Sequence, residues 1–300
     1  MTPLFTVFTP TYNRAYILPK LYNSLCEQTV KNFEWLIVDD GSTDETEQLV
    51  RCWTSNENGF MIYYHKKENG GKPRAINYGI ASAQGRYFFM VDSDDYLLPD
   101  AMEKMTGWIE DIDDAAGYIG IGAARGYPDM SYLKGIAPAV NEAGYIDASN
   151  LERSKYDLDA DMCEADRTDI FRQFPMAEWP GEKFAPEQIA LNEIALAGYK
   201  LRWHSDIIYI CDYLEDGLTK GSRKLEKNNP MGYAMMYNHM LKYGYSPIKK
   251  FRCAYQAIAM ALYGRHPEYL LKMNSKLYTI FALPFGIVLS VRRAIQFKKV

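Results

Sequence analysis

Cysteine is scarce and unpatterned: Cys26, Cys52, Cys163, Cys211 and Cys253 are odd in number, scattered, and form no CxxC pair. That excludes a disulfide framework and a zinc site of the usual ligand spacing, and it suits a reducing compartment. An excess of positive charge is also lacking. With 34 Lys and Arg against 38 Asp and Glu, the formal net charge is −4, which leaves no electrostatic footprint for a nucleic-acid partner. The opening residues, Met1-Thr2-Pro3-Leu4-Phe5-Thr6, carry no basic stretch followed by an apolar one. No secretory leader is therefore expected, and a cytoplasmic location is. Internal repeats and low-complexity tracts are absent. What remains is an ordinary globular composition, 48% apolar and 24% charged over 300 residues, enough for one large domain or two modest ones. The chain is rich in tyrosine, with 24. A flat face joined to a hydroxyl suits nucleotide and sugar surfaces, although most of these residues are expected in cores and interfaces.

The first hundred residues alternate strand and helix signals. Strands are expected at Leu4–Phe8, Trp35–Val38, Met61–Tyr64 and Tyr87–Val91, with helices at Tyr16–Cys26, Thr43–Trp53 and Arg74–Ala83 between them. Strands spaced by helices of this length imply crossovers and an α/β fold, a mostly parallel sheet flanked by helices. In such sheets ligands bind beyond the carboxyl ends of the strands. From about Pro99 the signals mix, with short strands expected near Tyr118–Ile121 and Ile207–Cys211, and from Lys224 the chain reads as mainly helical.

Each of the first four strands ends in a polar motif. The first is Thr9-Pro10-Thr11-Tyr12-Asn13-Arg14, alone no more than a strand–helix turn. The second is Asp39-Asp40-Gly41-Ser42-Thr43-Asp44. Helix capping accounts for Ser42 and Thr43 but not for two adjacent carboxylates, one of which can accept a hydrogen bond from a nucleobase N–H. The third, Glu68-Asn69-Gly70-Gly71-Lys72-Pro73-Arg74, lets backbone approach a phosphate and adds Lys72 and Arg74. It is no P-loop, because Pro73 stands where Ser or Thr is required. The fourth, Asp92-Ser93-Asp94-Asp95, delivers three carboxylates into one short loop. Like charges so placed make a cation the natural resident, and hard oxygen ligands beside a phosphate suit Mg²⁺ or Mn²⁺. An EF-hand is excluded: Asp92, Asp94 and Glu103 fit its spacing, but Tyr96 and Leu97 break it. Gly120-Ile121-Gly122 is a poor dinucleotide fingerprint, with Arg125 at the third glycine position.

Taken in order, Pro10 to Arg14, Val38 to Asp44, Asn69 to Asn77 and Val91 to Asp95 resemble the family 2 glycosyltransferases, the inverting group with the GT-A fold. The resemblance covers residues 4 to 100 best. It implies residues 1–98 as the nucleotide-sugar-binding half of a GT-A domain, 99–223 as the acceptor-binding half, and 224–300 as a helical C-terminal region. By motif, Asp39 reads the nucleotide base, with Asp40 in its place if the register slips by one. Thr9, Pro10 and Tyr12 wall the base and ribose, Ser93 lies with them at the donor nucleotide, and Lys72 lies near the diphosphate. Asp92 and Asp94 form the DXD pair, with Asp94 the metal ligand and Asp92 beside it. The family's catalytic base falls at Glu187 in Gly181-Glu182-Lys183-Phe184-Ala185-Pro186-Glu187; the family's usual Glu-Asp is here Pro186-Glu187, which leaves Glu182 as a rival. Tyr213 to Thr219 resembles a segment near the donor–acceptor junction. The implied activity is metal-dependent transfer of a sugar from a nucleoside diphosphate, UDP favoured, to a glycan or lipid-linked glycan acceptor in cell-surface polysaccharide synthesis.

Between Lys276 and Arg292 no residue is charged, and Arg292, Arg293, Lys298 and Lys299 follow. Interrupted by Pro284 and Gly286, the run suits contact with the inner face of a membrane through residues 277–299 rather than a span, with a buried terminal helix or dimer contact as the alternative. His204 is expected to be structural. Two rivals to sugar transfer stand: a non-catalytic sugar-nucleotide-binding scaffold, and a nucleotidyltransferase, which would want a basic glycine-rich loop after the first strand. Nothing in the sequence sets the oligomeric state.

Overall fold

The computed structural model describes residues 2–112, 117–211 and 222–298. It divides into two compact units, Met1–Pro175 with Leu191–Leu214, and Met176–Ala190 with Glu215–Val300. Strands from both expected halves, residues 1–98 and 99–223, lie in one sheet.

The first unit opens with β1 (Phe5–Thr11), α1 (Leu18–Cys26), β2 (Phe33–Asp39), α2 (Thr46–Thr54), β3 (Met61–Lys66), α3 (Lys72–Ser82) and β4 (Tyr87–Met90). Every residue of β2 is buried, the mark of a central parallel strand covered on both faces. Its register runs Thr11↔Asp39 on one side and Asp39↔Lys66 on the other, so β1, β2 and β3 end level. Next come β5 (Tyr96–Leu97), α4 (Ala101–Glu110), β6 (Tyr118–Gly126), β7 (Tyr145–Ala148), β8 (Met162–Arg167), α5 (Thr168–Phe171), α6 (Gln188–Leu196) and β9 (Lys200–Ile210). The strand order is β3-β2-β1-β4-β8-β6-β9-β5, with β7 on β9. Parallel pairing holds from β3 to β4 and between β6 and β9, whereas β4–β8, β6–β8, β5–β9 and β7–β9 are antiparallel. The sheet is thus parallel through β3-β2-β1-β4, as expected, and mixed where β5, β7 and β8 join it. A parallel crossover usually takes a helix, and between β6 and β8 the described chain forms only two short 3-10 segments and β7.

The core on one face gathers Trp35, Leu21, Val50, Phe89 and Met102, with Tyr22 stacked on Trp53 at 4.3 Å. Gly120 and Gly122 are explained by this sheet. A β-carbon would lie 1.9 Å from the Ala165 carbonyl oxygen at Gly120 and 2.3 Å from the Trp203 ring at Gly122. Packing, not nucleotide binding, requires glycine there.

The second unit holds α7 (Ser222–Asn228), α8 (Pro230–His239), α9 (Pro247–Tyr263) and α10 (Lys276–Phe297), and the boundary between units falls within α6. Its own core includes Met231, Ala254, Ile258, Met260 and Ala282. The helical reading from Lys224 onward agrees with these elements.

Candidate active site

The loops after β1 and β2 are laced together before any ligand is considered. Asn13, in the left-handed region at φ 53°, accepts the Thr43 N–H through Oδ1 at 2.8 Å, while its own N–H donates to Ser42 Oγ at 2.8 Å. The Ala15 N–H donates to Asp44 Oδ2 at 3.0 Å. Gly41 turns the second loop at φ 87°, where a β-carbon would sit 2.9 Å from the Asn69 nitrogen. That contact joins the third motif to the same ledge.

Asp39 is fully buried. Its Oδ1 accepts the Ser42 N–H at 2.7 Å and its Oδ2 the Tyr64 hydroxyl at 2.5 Å. Asp40, also buried, points to the glycine loop: Oδ1 accepts from Lys67 Nζ at 2.6 Å and the Gly70 N–H at 2.9 Å, and Oδ2 accepts the Gly71 N–H at 2.7 Å. Both carboxylates therefore organise the loops after β2 and β3. Thr9 lies inside β1, buried, with Oγ1 accepting the Trp35 indole N–H at 3.0 Å, so its side chain serves the core. Pro10 follows on the β4 side just past the last β1–β4 pair, Phe8↔Met90, where no ladder bond is lost. Tyr12 is 47% exposed.

At the end of β4, Lys72 Nζ lies 2.8 Å from Asp92 Oδ1, and Arg125 Nη1 lies 3.6 Å from Asp92 Oδ2. Burial works to raise the Asp92 pKa, but the charges of Lys72 and Arg125 overcome it and hold the carboxyl below its ordinary range. Asp94, half-buried, is raised by burial and then by the charge of Asp92. Asp95 is pushed up to about 7 by burial and Asp92. Behind the loop, the Arg125 guanidinium lies 4.1 Å over the Tyr209 ring. The Tyr209 hydroxyl donates to Asp95 Oδ2 at 2.7 Å and accepts the Asp92 N–H at 2.9 Å. Ser93 is buried between these acids.

The donor set fits a divalent metal of the Mg²⁺ or Mn²⁺ kind. No cluster of three or more His, Cys, Asp or Glu stands ready among the described residues. Asp94, whose proton affinity is raised by the neighbouring Asp92 charge, and Asp92 itself are nonetheless the share a protein gives such an ion when phosphate oxygens and water complete its shell. Glu103, the third residue of the discarded EF-hand spacing, accepts from Thr29 Oγ1 at 2.8 Å instead.

Sequence reasoning missed Arg125, Tyr209 and Lys67. A signal for Arg125 existed: it is the one charged side chain in β6, YIGIGAARG. Tyr209 and Lys67 carried none, since only the fold brings them to Asp95 and Asp40.

Glu182 and Glu187 belong to the second unit. Glu182 accepts the N–H groups of Met231 and Gly232 through its two oxygens at 2.8 Å each, capping α8. Glu187 is half-buried and immediately precedes α6. His204 is stacked on Trp108 at 4.0 Å, and burial pushes its pKa down to about 4. The Tyr213–Thr219 segment lies outside the described residues.

A mixed α/β sheet with acidic loops at the carboxyl edge of its parallel half defines the GT-A class. The sequence model described as "Glycosyl transferase family 2" matches residues 6–155, half of the chain, and the protein belongs to that family. An uncharacterized glycosyltransferase of Rickettsia typhi is 36% identical over 112 residues, which cover 37% of this chain and 34% of that one. The chain thus spans between about a tenth and about a third of the length of the curated relatives it matches. Among solved structures, Staphylococcus aureus TarS 1–349 in complex with UDP-GlcNAc superposes with a TM-score of 0.61 at 19% identity, over 95% of this chain and 81% of that one. Mannosyltransferase PcManGT from Pyrobaculum calidifontis, in complex with GDP-Man and Mn²⁺, does so with a TM-score of 0.56 at 16% identity, over 98% and 88%.

Proposed function

We propose that the protein transfers a sugar from a nucleoside diphosphate donor, a UDP-sugar in first place, to an acceptor hydroxyl with inversion at the anomeric carbon. The observation that carries this reading is the meeting of four separate loops at one sheet edge, where Asp92, next to Asp94, is paired with both Lys72 and Arg125. UDP-GlcNAc bound to TarS supports the choice of UDP, and Mn²⁺ in PcManGT supports a divalent ion.

In this reading Asp39 accepts the uracil N3–H, with Asp40 in that role if the base sits one position along. Pro10, Tyr12 and the backbone of Thr9 wall the base and ribose, and Ser93 lies beside them. Lys72 turns from Asp92 to the diphosphate. Asp94, with Asp92, would hold Mn²⁺ or Mg²⁺, which when bound supplies Lewis-acid stabilisation of the departing diphosphate. Glu187 takes the proton from the attacking hydroxyl. The sugar carbon passes through an oxocarbenium-like state, and attack opposite the leaving group inverts it. The acceptor is a glycan or lipid-linked glycan of the cell surface, met at the cytoplasmic face of a membrane that residues 277–299 contact.

The test is product analysis with a panel of sugar nucleotides. Free nucleoside diphosphate is the expected product. Pyrophosphate would move the assignment to nucleotidyl transfer, and donor binding without any turnover would move it to a scaffold.

A further inference from the structure

α10 turns an uncovered apolar side to solvent. Leu277, Ile280, Phe281, Phe285, Val288 and Val291 are between 57% and 70% exposed. Their spacings of three and four put them along one stripe. α10 carries eight of the sixteen exposed large hydrophobic side chains among the described residues. The opposite side is engaged: Thr279, Ala282, Gly286 and Phe297 are buried. A β-carbon on Gly286 would lie 2.5 Å from Ile258 of α9, and Arg293 is ion-paired with Glu226 of α7 and bonded to Gln256 at 2.7 Å.

Charge decides what covers the stripe. From Tyr269 to Val300 the chain has no Asp or Glu and six Lys or Arg. Lys272 and Lys276 are exposed at one end of the stripe, and Arg292 and Lys298 toward the other. A second copy of the helix, parallel or antiparallel, would set cations against cations. An anionic bilayer sets headgroups against the cations and acyl chains against the stripe. The helix has 22 residues, long enough to cross a bilayer. Crossing would strip it from α9 and break the Arg293–Glu226 pair that ties it to α7, which costs more than lying flat.

We propose that α10 lies in the plane of an anionic phospholipid bilayer, its Leu277–Val291 stripe among the acyl chains and Lys272, Lys276, Arg292 and Lys298 at the headgroups. The proposal rests on the peripheral placement of residues 277–299 and not on sugar transfer, so vesicle binding and turnover fail separately.

The experiment is co-sedimentation of the full chain with phosphatidylcholine vesicles, with and without phosphatidylglycerol, at low and high salt. Binding is expected to be at least about tenfold stronger with phosphatidylglycerol and to fall as salt rises. Phe281→Ser with Val288→Ser, both on the exposed side, is expected to cut binding by about tenfold or more without loss of the folded circular-dichroism spectrum. Arg292→Glu with Lys298→Glu is expected to remove the preference for phosphatidylglycerol. Equal binding to both vesicles, or none, overturns the proposal. So does retention through alkaline carbonate extraction, which marks a span, or a dimer in solution that the serine variants dissociate, which marks a second copy as the occupant.

Discussion

Asp92 is the side chain on which the charges of the site converge. Two cations from different elements, Lys72 at the start of α3 and Arg125 in β6, hold it ionised although it is half-buried. Arg125 also faces Asp95 at 4.0 Å. Removing the guanidinium leaves a half-buried carboxylate with Lys72 as its remaining cation, a change that typically costs about 1 to 2 kcal/mol. Arg125→Met is therefore expected to lower stability in urea by that order, with Arg125→Lys recovering part of it; an unchanged midpoint would show that Asp92 does not need this partner. The second residue-scale prediction concerns pH. Burial depresses His204 from 6.5 to about 4, so the unfolded chain binds its proton more readily than the folded one. Its neutral form contributes stability that is complete above pH 6.5 and is lost as pH falls toward 4, up to about 3 kcal/mol. Urea midpoints measured across that window should flatten in His204→Phe, which keeps a ring against Trp108. A wild-type slope in the variant would place the acid sensitivity elsewhere.

Among elements, the strongest division is between the two acids before and after the Pro186 turn. Glu182 caps α8, and an N-terminal cap is worth about 1 kcal/mol. Glu182→Ala should lower stability by about that amount and leave donor affinity intact. Glu187→Gln should stay folded and cut turnover by a factor of about 100 to 10,000, the usual loss of a general base. A folded Glu182→Ala without turnover, beside an active Glu187→Gln, would reverse the base assignment. The elements themselves were unevenly legible. The four strands and three helices up to Val91 were readable, because each strand is a short apolar run closed by a polar or glycine-rich motif. Their ends were not: β1 runs through Pro10 to Thr11 rather than stopping at Phe8, since its partner β2 continues to Asp39. β9 is eleven residues long where only its last third read as strand. Lys200, Arg202, Ser205 and Asp206 hid it; Arg202, for one, pairs with Asp147 of β7 at 2.9 Å across the sheet. The antiparallel pairings were also hidden, because partner choice between distant strands leaves no local pattern.

At the scale of the whole molecule, the chain joins a sheet unit that carries every donor motif to a helical unit that carries Glu182, Glu187 and the apolar stripe of α10. The family motifs made the first unit's layout readable, since one sheet edge gathers Asp39, Asp40, Lys72, Asp92 and Asp94 from loops up to 55 residues apart. They gave no warning of the Arg125–Tyr209 support beneath that edge, which comes from β6 and β9. Nor could they foretell that α6 is shared between the units. The central claim is that this edge binds a nucleoside diphosphate together with a divalent ion held by Asp94. Calorimetry of UDP, GDP, dTDP and CMP, each with and without Mn²⁺, on wild type and Asp94→Ala tests it most directly. The account predicts that UDP binds, that Mn²⁺ tightens it by about tenfold or more, and that Asp94→Ala abolishes the metal effect while remaining folded. Binding that ignores Mn²⁺ in the wild type would contradict the metal site, and no binding of any nucleotide to a folded protein would contradict the donor site itself.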